Sequence, residues 1–152
     1  MLNSFFEPKS VAVIGASTNP VKLGHAVLKN LVDGGYAENG KVYPVNPKAE
    51  EILGHKAYPS VLDVPVPIDL AVIVIPYKFV PDALRTCGEK GIPAAIVISA
   101  GFREAGREGL EREHELIEIA NQFNIRIIGP NCLGTVSYTH LTLPTSCVEC
   151  CC

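Results

Sequence analysis

No apolar run in this sequence approaches the roughly 18 residues that would read as a membrane span. Met1-Leu2-Asn3-Ser4 has neither the basic start nor the apolar stretch of a secretory signal. Charge of one sign is scarce as well. Thirteen Lys and Arg against sixteen Asp and Glu leave a formal net charge of -3, which gives no electrostatic footprint for nucleic acid or an anionic membrane. Any anionic ligand must therefore be held by a local arrangement of groups. The expectation is a cytoplasmic globular protein with neither nucleic acid nor membrane among its partners.

Cysteine is missing where a framework would need it. Of the six, Cys147, Cys150, Cys151 and Cys152 crowd the end, and only Cys87 and Cys132 fall in the patterned part. Disulfide frameworks and zinc sites need ligands spread through the fold at particular spacings. Cys87 lies on the apolar stripe of a helix and reads as packing. Cys132, at a strand end, reads as structural or site-lining, because no histidine stands near it in sequence to activate a nucleophile. The histidines are equally unpaired. His55 lies in an irregular stretch, and His114 sits mid-helix among glutamates. For His25, in a first helical turn, contact with a ligand and a purely local role both stay open. No metal is expected.

What is present, up to Gly134, is a regular alternation. Five short apolar runs occur at Val11–Ile14, Val42–Val45, Leu70–Ile75, Ala94–Ile98 and Ile125–Ile128. They are continuous rather than alternating, as parallel strands covered on both faces should be. Leu23, Ala26, Val27 and Leu31 follow helical spacing, with Gly34-Gly35 as the stop. Val80, Ala83, Leu84 and Cys87 do so before Gly91, and Leu116, Ile119, Ala120 and Phe123 in a helix beginning near Arg107. The stretch Pro47 to Asp69 is less regular, with a short helix expected over Ala49–Leu53 and a Pro-rich run after it. The pattern implies an α/β fold: a Rossmann-like doubly wound parallel sheet of about five strands with helices on both faces.

In such sheets ligands bind at the carboxyl ends of the strands, near the point where strand order reverses. The loop Gly15-Ala-Ser-Thr-Asn-Pro-Val-Lys-Leu-Gly24 leaves the first strand there. It is not the GxGxxG fingerprint, because its framing glycines stand nine positions apart. Small residues and a following helix N-terminus suit a phosphate, with Ser17, Thr18 and Asn19 as added donors. A plain turn, with Asn19 near the cap and Pro20 opening the helix, remains the alternative. After the second strand, Pro44-Val-Asn-Pro-Lys48 lacks the acidic residue that grips an NAD ribose and carries Lys48 instead, which suits a phosphate on the ribose. Ile75-Pro-Tyr77, Ile98-Ser-Ala-Gly-Phe102 and Gly129-Pro-Asn-Cys-Leu-Gly134 complete that edge.

Taken in order, Ser10–Ser17, Lys41–Lys48, Asp69–Pro76, Val97–Phe102 and Ile128–Gly134 resemble the motifs of the CoA-binding domain in NDP-forming acyl-CoA synthetases. These are the ADP-forming acetate–CoA ligases, similar in architecture to the succinyl-CoA synthetase α subunit. The resemblance covers residues 4–134 and implies coenzyme A as the ligand. It places Gly15, Ser17, Thr18, Asn19 and Pro20 in the loop that contacts CoA phosphates, and Lys48 at the nucleotide part. Ile98, Ser99 and Ala100 match the segment lining the path toward the thiol. Asn131, in the Gly129–Gly134 motif, matches a loop near where thiol and acyl phosphate meet. It also implies partners that match no position here: a second α domain with a phosphorylated histidine, and an ATP-grasp β subunit or domain. No catalytic residue is carried over, and the fragment is expected to bind CoA without turnover. The alternatives are the same domain in an acyltransferase fusion, or a stand-alone CoA- or nucleotide-binding regulatory module. An NAD-dependent dehydrogenase ranks last.

Residues 1–134 are thus expected to form the CoA-binding domain, and residues 135–152 a non-native tail. The codon series GTC TCT TAT ACA CAT CTG ACG CTG CCG ACG encodes Val136–Thr145 and resembles the transposon mosaic end and adapter of sequencing libraries. The expectation is a gene read through into adapter at about Thr135; a natural, disordered terminus is the alternative. Amplifying the locus from source DNA is expected to return a different continuation after Gly134. A native gene carrying these same codons would overturn the adapter reading.

Overall fold

The computed structural model describes residues 3–38 and 41–132. Residues 133–134 of the expected domain, and the whole 135–152 segment, lie outside the described residues. A short helix α1 (Asn3–Phe6) leads into β1 (Val11–Ile14), α2 (Leu23–Asp33) and β2 (Val42–Val45). Two short strands, β3 (Glu51–Ile52) and β4 (His55–Lys56), form an antiparallel hairpin. Then come β5 (Leu70–Ile73), α3 (Val80–Lys90), β6 (Ala94–Val97), α4 (Arg107–Phe123) and β7 (Arg126–Ile128). The large sheet has five strands in the order β2-β1-β5-β6-β7, and every pairing in it is parallel. The reversal of strand order falls between β1 and β5.

Continuous apolar runs make this sheet because both of its faces are covered. All four residues of β1, β5 and β6 are buried, and alternate positions serve opposite faces. Ala12, Ala71 and Ala95 lie in register across three strands. They share one face with Ile14, Ile73 and Val97, where Leu84 and Cys87 of α3 and Leu116 and Ile119 of α4 complete a single core. The row of small residues leaves room for those larger side chains, and truncating a fully buried one such as Leu84 or Leu116 would cost about 2–5 kcal/mol. On the other face, Val13 packs with Leu28, Val27 and Leu31 of α2.

The strands begin and end within two residues of the sequence expectation, and α3 and α4 bury the stripes read for them. In α2 the buried stripe is offset. Leu23 is half exposed at 52%, and the covered positions are Gly24, Val27, Leu28 and Leu31. The same spacing starts at a glycine, which an apolar count passes over. The short helix expected over Ala49–Leu53 is not formed. Leu53 and Gly54 both take positive φ, 52° and 77°, which is the backbone of a two-residue hairpin turn. So short a helix carries the nucleation cost without enough propagation to offset it, whereas the hairpin buries Ile52 at 1% exposure. The chain then returns along the outer edge of β2, where Tyr58 donates its N–H to Pro44 O (2.9 Å) and accepts from Asn46 N (2.9 Å). Pro44 is tolerated in β2 because that strand is at the sheet edge.

Helix α2 sits against the first loop so closely that a Cβ on Gly24 would stand 2.0 Å from Gly15 O. Helix propensity alone favours alanine over glycine by up to about 1 kcal/mol. The clash is with backbone, so Gly24→Ala is nevertheless expected to destabilise the fold by about 1–3 kcal/mol. Thermal unfolding checks the sign: a raised midpoint would mean that the first loop can retreat at no cost.

Candidate functional site

The first loop folds on its own polar groups. Ser17 Oγ accepts the N–H of Asn19 at 3.1 Å, and Asn19 Oδ1 accepts that of Val21 at 3.0 Å. These two turns hold Thr18, Asn19 and Pro20 exposed while Ser17 stays buried at 9%. Neither Asn19 nor Pro20 opens the helix. Its N-cap is Lys22, which makes no side-chain cap and has no acceptor with which to make one. The α2 N-terminus, with its dipole, thus meets this loop beside a cation. His25 takes a local role: its Nδ1 stands 2.8 Å from Ser17 O, and since a carbonyl only accepts, that nitrogen carries the hydrogen.

Asn46 joins the second loop to the first. Its Nδ2 donates to Ala16 O at 2.8 Å, and its Oδ1 accepts the Lys48 N–H at 2.8 Å, so one side chain fixes Ala16 and the backbone that carries Lys48. Lys48 itself is exposed. A hollow of about 120 Å³ opens beside these strand ends, lined by Ile14, Val45, Pro59, Ser60, Val61, Ala83 and Thr86. Its floor is the last residue of β1 and of β2. Neither Asn46 nor the Pro59–Val61 lining was singled out from sequence. Asn46, flanked by Pro44-Val45 and Pro47, had a legible turn signal, whereas Pro59–Val61 reads only as part of an irregular, Pro-rich run.

Across the reversal point, Gly15 has φ 95° and a Cβ there would stand 2.2 Å from Val74 O. The β5 loop is tied onward to β6 by Ser99, whose hydroxyl donates to Ile75 O at 2.5 Å and accepts from Ile75 N at 3.3 Å. This hydroxyl, buried at 8%, is engaged in both directions. Ile98 is half-buried and Ala100 exposed. The following turn is held by Glu104, whose Oε1 accepts the N–H groups of Gly101 and, at 3.2 Å, Phe102. Asn131, with φ 55°, donates its N–H to Ser99 O at 3.1 Å. The ten site residues expected from sequence therefore fall into two groups. Gly15, Ser17, Thr18, Asn19, Pro20 and Lys48 surround the β1 and β2 ends. Ile98, Ser99, Ala100 and Asn131 surround the β6 and β7 ends, and Ile75 touches both groups.

The two cysteines among the described residues are both buried. Burial pushes the Cys87 thiol up to about 12, so it stays protonated at neutral pH. Cys132 is buried, with Sγ 3.6 Å from Val97 O and 3.8 Å from Ile128 O. Among the described residues no three His, Cys, Asp or Glu side chains cluster to hold a metal, and no helix is long and apolar enough to cross a membrane. A larger hollow, about 290 Å³, is lined by Phe6–Lys9, Gly34–Tyr36 and Lys41. It lies at the amino ends of β1 and β2, and none of the ten site residues lines it.

Glu104 gives the edge a pH dependence. Partial burial raises its carboxyl, but the N–H groups of Gly101, Glu104 and Phe102 outweigh that and hold it below the ordinary glutamate value. A carboxyl lowered in the folded state stabilises above its unfolded value, and that contribution is lost as pH falls through the folded one. Wild type is expected to melt above Glu104→Gln at pH 7, with the gap closing in acid. A gap that persists unchanged at pH 2 would show that the carboxylate charge is not what holds the turn.

Residues 9–137 match the CoA binding domain family. The α subunit of acetate–CoA ligase [ADP-forming] II from Pyrococcus furiosus is 52% identical over 143 residues, 94% of this chain and 30% of its own length. A crystal structure of PH0766 from Pyrococcus horikoshii superposes with a TM-score of 0.84 at 57% identity, covering 88% of this chain and 30% of that one. The dinucleotide forming acetyl-coenzyme A synthetase 1 of Candidatus Korarchaeum cryptofilum, in complex with phosphate and ADP, gives a TM-score of 0.80 at 44% identity over 86% of this chain and 27% of that one. The chain spans under a third of the length of these relatives. With the greater part of its residues matched and the parallel sheet in common, it belongs to the CoA binding domain family.

Proposed function

We propose that this chain is the CoA-holding part of an ADP-forming acyl-CoA synthetase, which interconverts acyl-CoA, ADP and phosphate with carboxylic acid, CoA and ATP. The observation that carries this reading is the unbroken rim of loops at the carboxyl edge of the sheet. At one end it offers an uncapped helix N-terminus and lysines, and at the other a braced, largely neutral segment. A ligand with a phosphorylated nucleotide at one end and a long neutral arm at the other suits that layout.

On this reading the CoA phosphates lie at Gly15, Ser17, Thr18, Asn19 and Pro20, and the base enters the hollow lined by Pro59–Val61. Lys48 meets the 3′-phosphate. The arm crosses the β5 end to Ile98, Ser99 and Ala100, and the thiol comes out near Asn131. The domain's contribution to the reaction is placement of that thiol. Partner parts supply the rest: a second α domain bearing a histidine that is phosphorylated, and an ATP-grasp subunit or domain that grips nucleotide. The whole works in the cytoplasm.

Calorimetric titration with CoA, 3′-dephospho-CoA and NAD tests the assignment. CoA is expected to bind most tightly and NAD not at all. Lys48→Ala should weaken CoA roughly 3- to 10-fold, the scale of one exposed charge-assisted contact, and should narrow its advantage over 3′-dephospho-CoA. NAD binding more tightly than CoA would overturn the ligand, and folded protein that binds no CoA would overturn the claim that this chain holds the site.

A further inference from the structure

We propose that Arg112 of α4 is a positioning residue for the β6 edge of the site, although it belongs to none of the loops that the sequence singles out. The inference rests on the CoA reading above and assigns a role to a side chain that reading does not use. Arg112 spends its guanidinium on two neighbouring loops. Its Nη1 donates to Gly101 O at 2.9 Å, and its Cζ lies 4.3 Å from the centroid of the Tyr77 ring. Tyr77, from the β5 loop, in turn packs against Gly101, where a Cβ would stand 2.6 Å from the ring. Guanidinium, ring and peptide thus meet pairwise, joining α4, the β5 loop and the β6 loop.

The location of these contacts gives them a function. Gly101 follows Ile98–Ala100 directly, and it sits at φ 104°, a conformation open to glycine, whose backbone freedom leaves the turn to be held by its contacts. The near end of the segment is fixed by Ile98 N donating to Ile73 O at 3.0 Å and by Ser99 on Ile75. Its far end is fixed by Arg112 on the carbonyl and by Glu104 on the N–H of Gly101. Without Arg112 one of these two holds is gone, and the edge must be ordered when the ligand arrives, which lowers affinity. The third contact of Arg112, to Glu108 Oε2 at 3.2 Å, involves a glutamate that is 84% exposed. An ion pair so open contributes little, so it does not account for the placement of Arg112. The attachment of α4 to the core rests on Leu116, Ile119 and Ala120, not on this arginine.

Two ligands separate positioning from general softening of the fold: CoA, and adenosine 3′,5′-bisphosphate, which carries the nucleotide end without the arm. In the full chain, Arg112→Ala is expected to weaken CoA roughly five-fold, the scale of one preorganising hydrogen bond, with affinity for the bisphosphate unchanged. Arg112→Lys keeps the charge but not the planar fork, so it should show the same split at smaller size and carries the test if the alanine variant does not fold. Glu108→Gln should bind both ligands as wild type does. Unchanged CoA affinity in Arg112→Ala, or equal weakening of both ligands, would overturn the role of Arg112 alone. Wild type that binds neither ligand would overturn the CoA reading, and this inference with it.

Discussion

Each loop at the carboxyl edge of the sheet leans on the backbone of the next, and at Gly15 a side chain would stand 2.2 Å from Val74 O. From there the contacts run both ways. Toward β2, Asn46 reaches back to Ala16; toward β7, Ser99 holds Ile75 and Asn131 holds Ser99. The shape of the rim depends on this series, because none of these loops is long enough to form a cavity of its own. The alignment of the strands makes it possible: Ile14, Val45 and Ile73 are register partners, so the three loops that follow them leave the sheet at one level.

The same burial that builds the sheet confines function to its edge. With both faces of β1, β5 and β6 covered, no polar group can be placed mid-strand without a partner. The only buried polar side chains among the described residues are Ser10, Ser17 and Ser99, and all three sit just before or after a strand. Ser10 serves the opposite end, donating to Pro67 O at 2.9 Å and accepting Asp69 N at 3.0 Å. Ser17 and Ser99 serve the functional edge. A net charge of -3 gives the chain no general attraction for anions, so on the CoA reading the phosphates fall to Lys22, Lys48 and the α2 dipole, acting over a few ångströms.

Sheet, helices and loop order were legible because each rests on local signals: continuous apolar runs, the 3.6-residue stripe, and glycines where the chain must turn. What escaped was the product of contacts distant in sequence. The turn Leu53-Gly54 contains a leucine in the left-handed region, which no propensity anticipates; only the burial of Ile52 favours it. Asn46 was passed over beside Lys48, and its reach to Ala16, thirty positions away, has no local signal. Arg112 reads in sequence as one more solvated charge among Glu111, Glu113 and Glu115, and only the packing of α4 against the Tyr77 turn shows that it is shared between loops. Cys87 was legible from the start, since its place on the helix stripe dictates the burial that raises its thiol.

The two halves of the rim are built differently, and the difference suits what each would hold on the CoA reading. The outer part of the first loop is held by its own side chains, with Thr18, Asn19 and Pro20 projecting from two short side-chain turns. A phosphate is a strong, nearly spherical acceptor, and donors that arrive from several directions satisfy it without a tight fit. The β6 half has its hydroxyl, carbonyl and N–H groups already engaged with Ile75, Asn131, Arg112 and Glu104. It has little charge to offer and a great deal of shape. A neutral arm ending in a reactive thiol needs a fixed channel more than it needs attraction, because small errors in placing the thiol cost rate directly. A domain with no activated nucleophile among its described residues can still decide how fast a reaction runs, by how rigidly it presents that thiol.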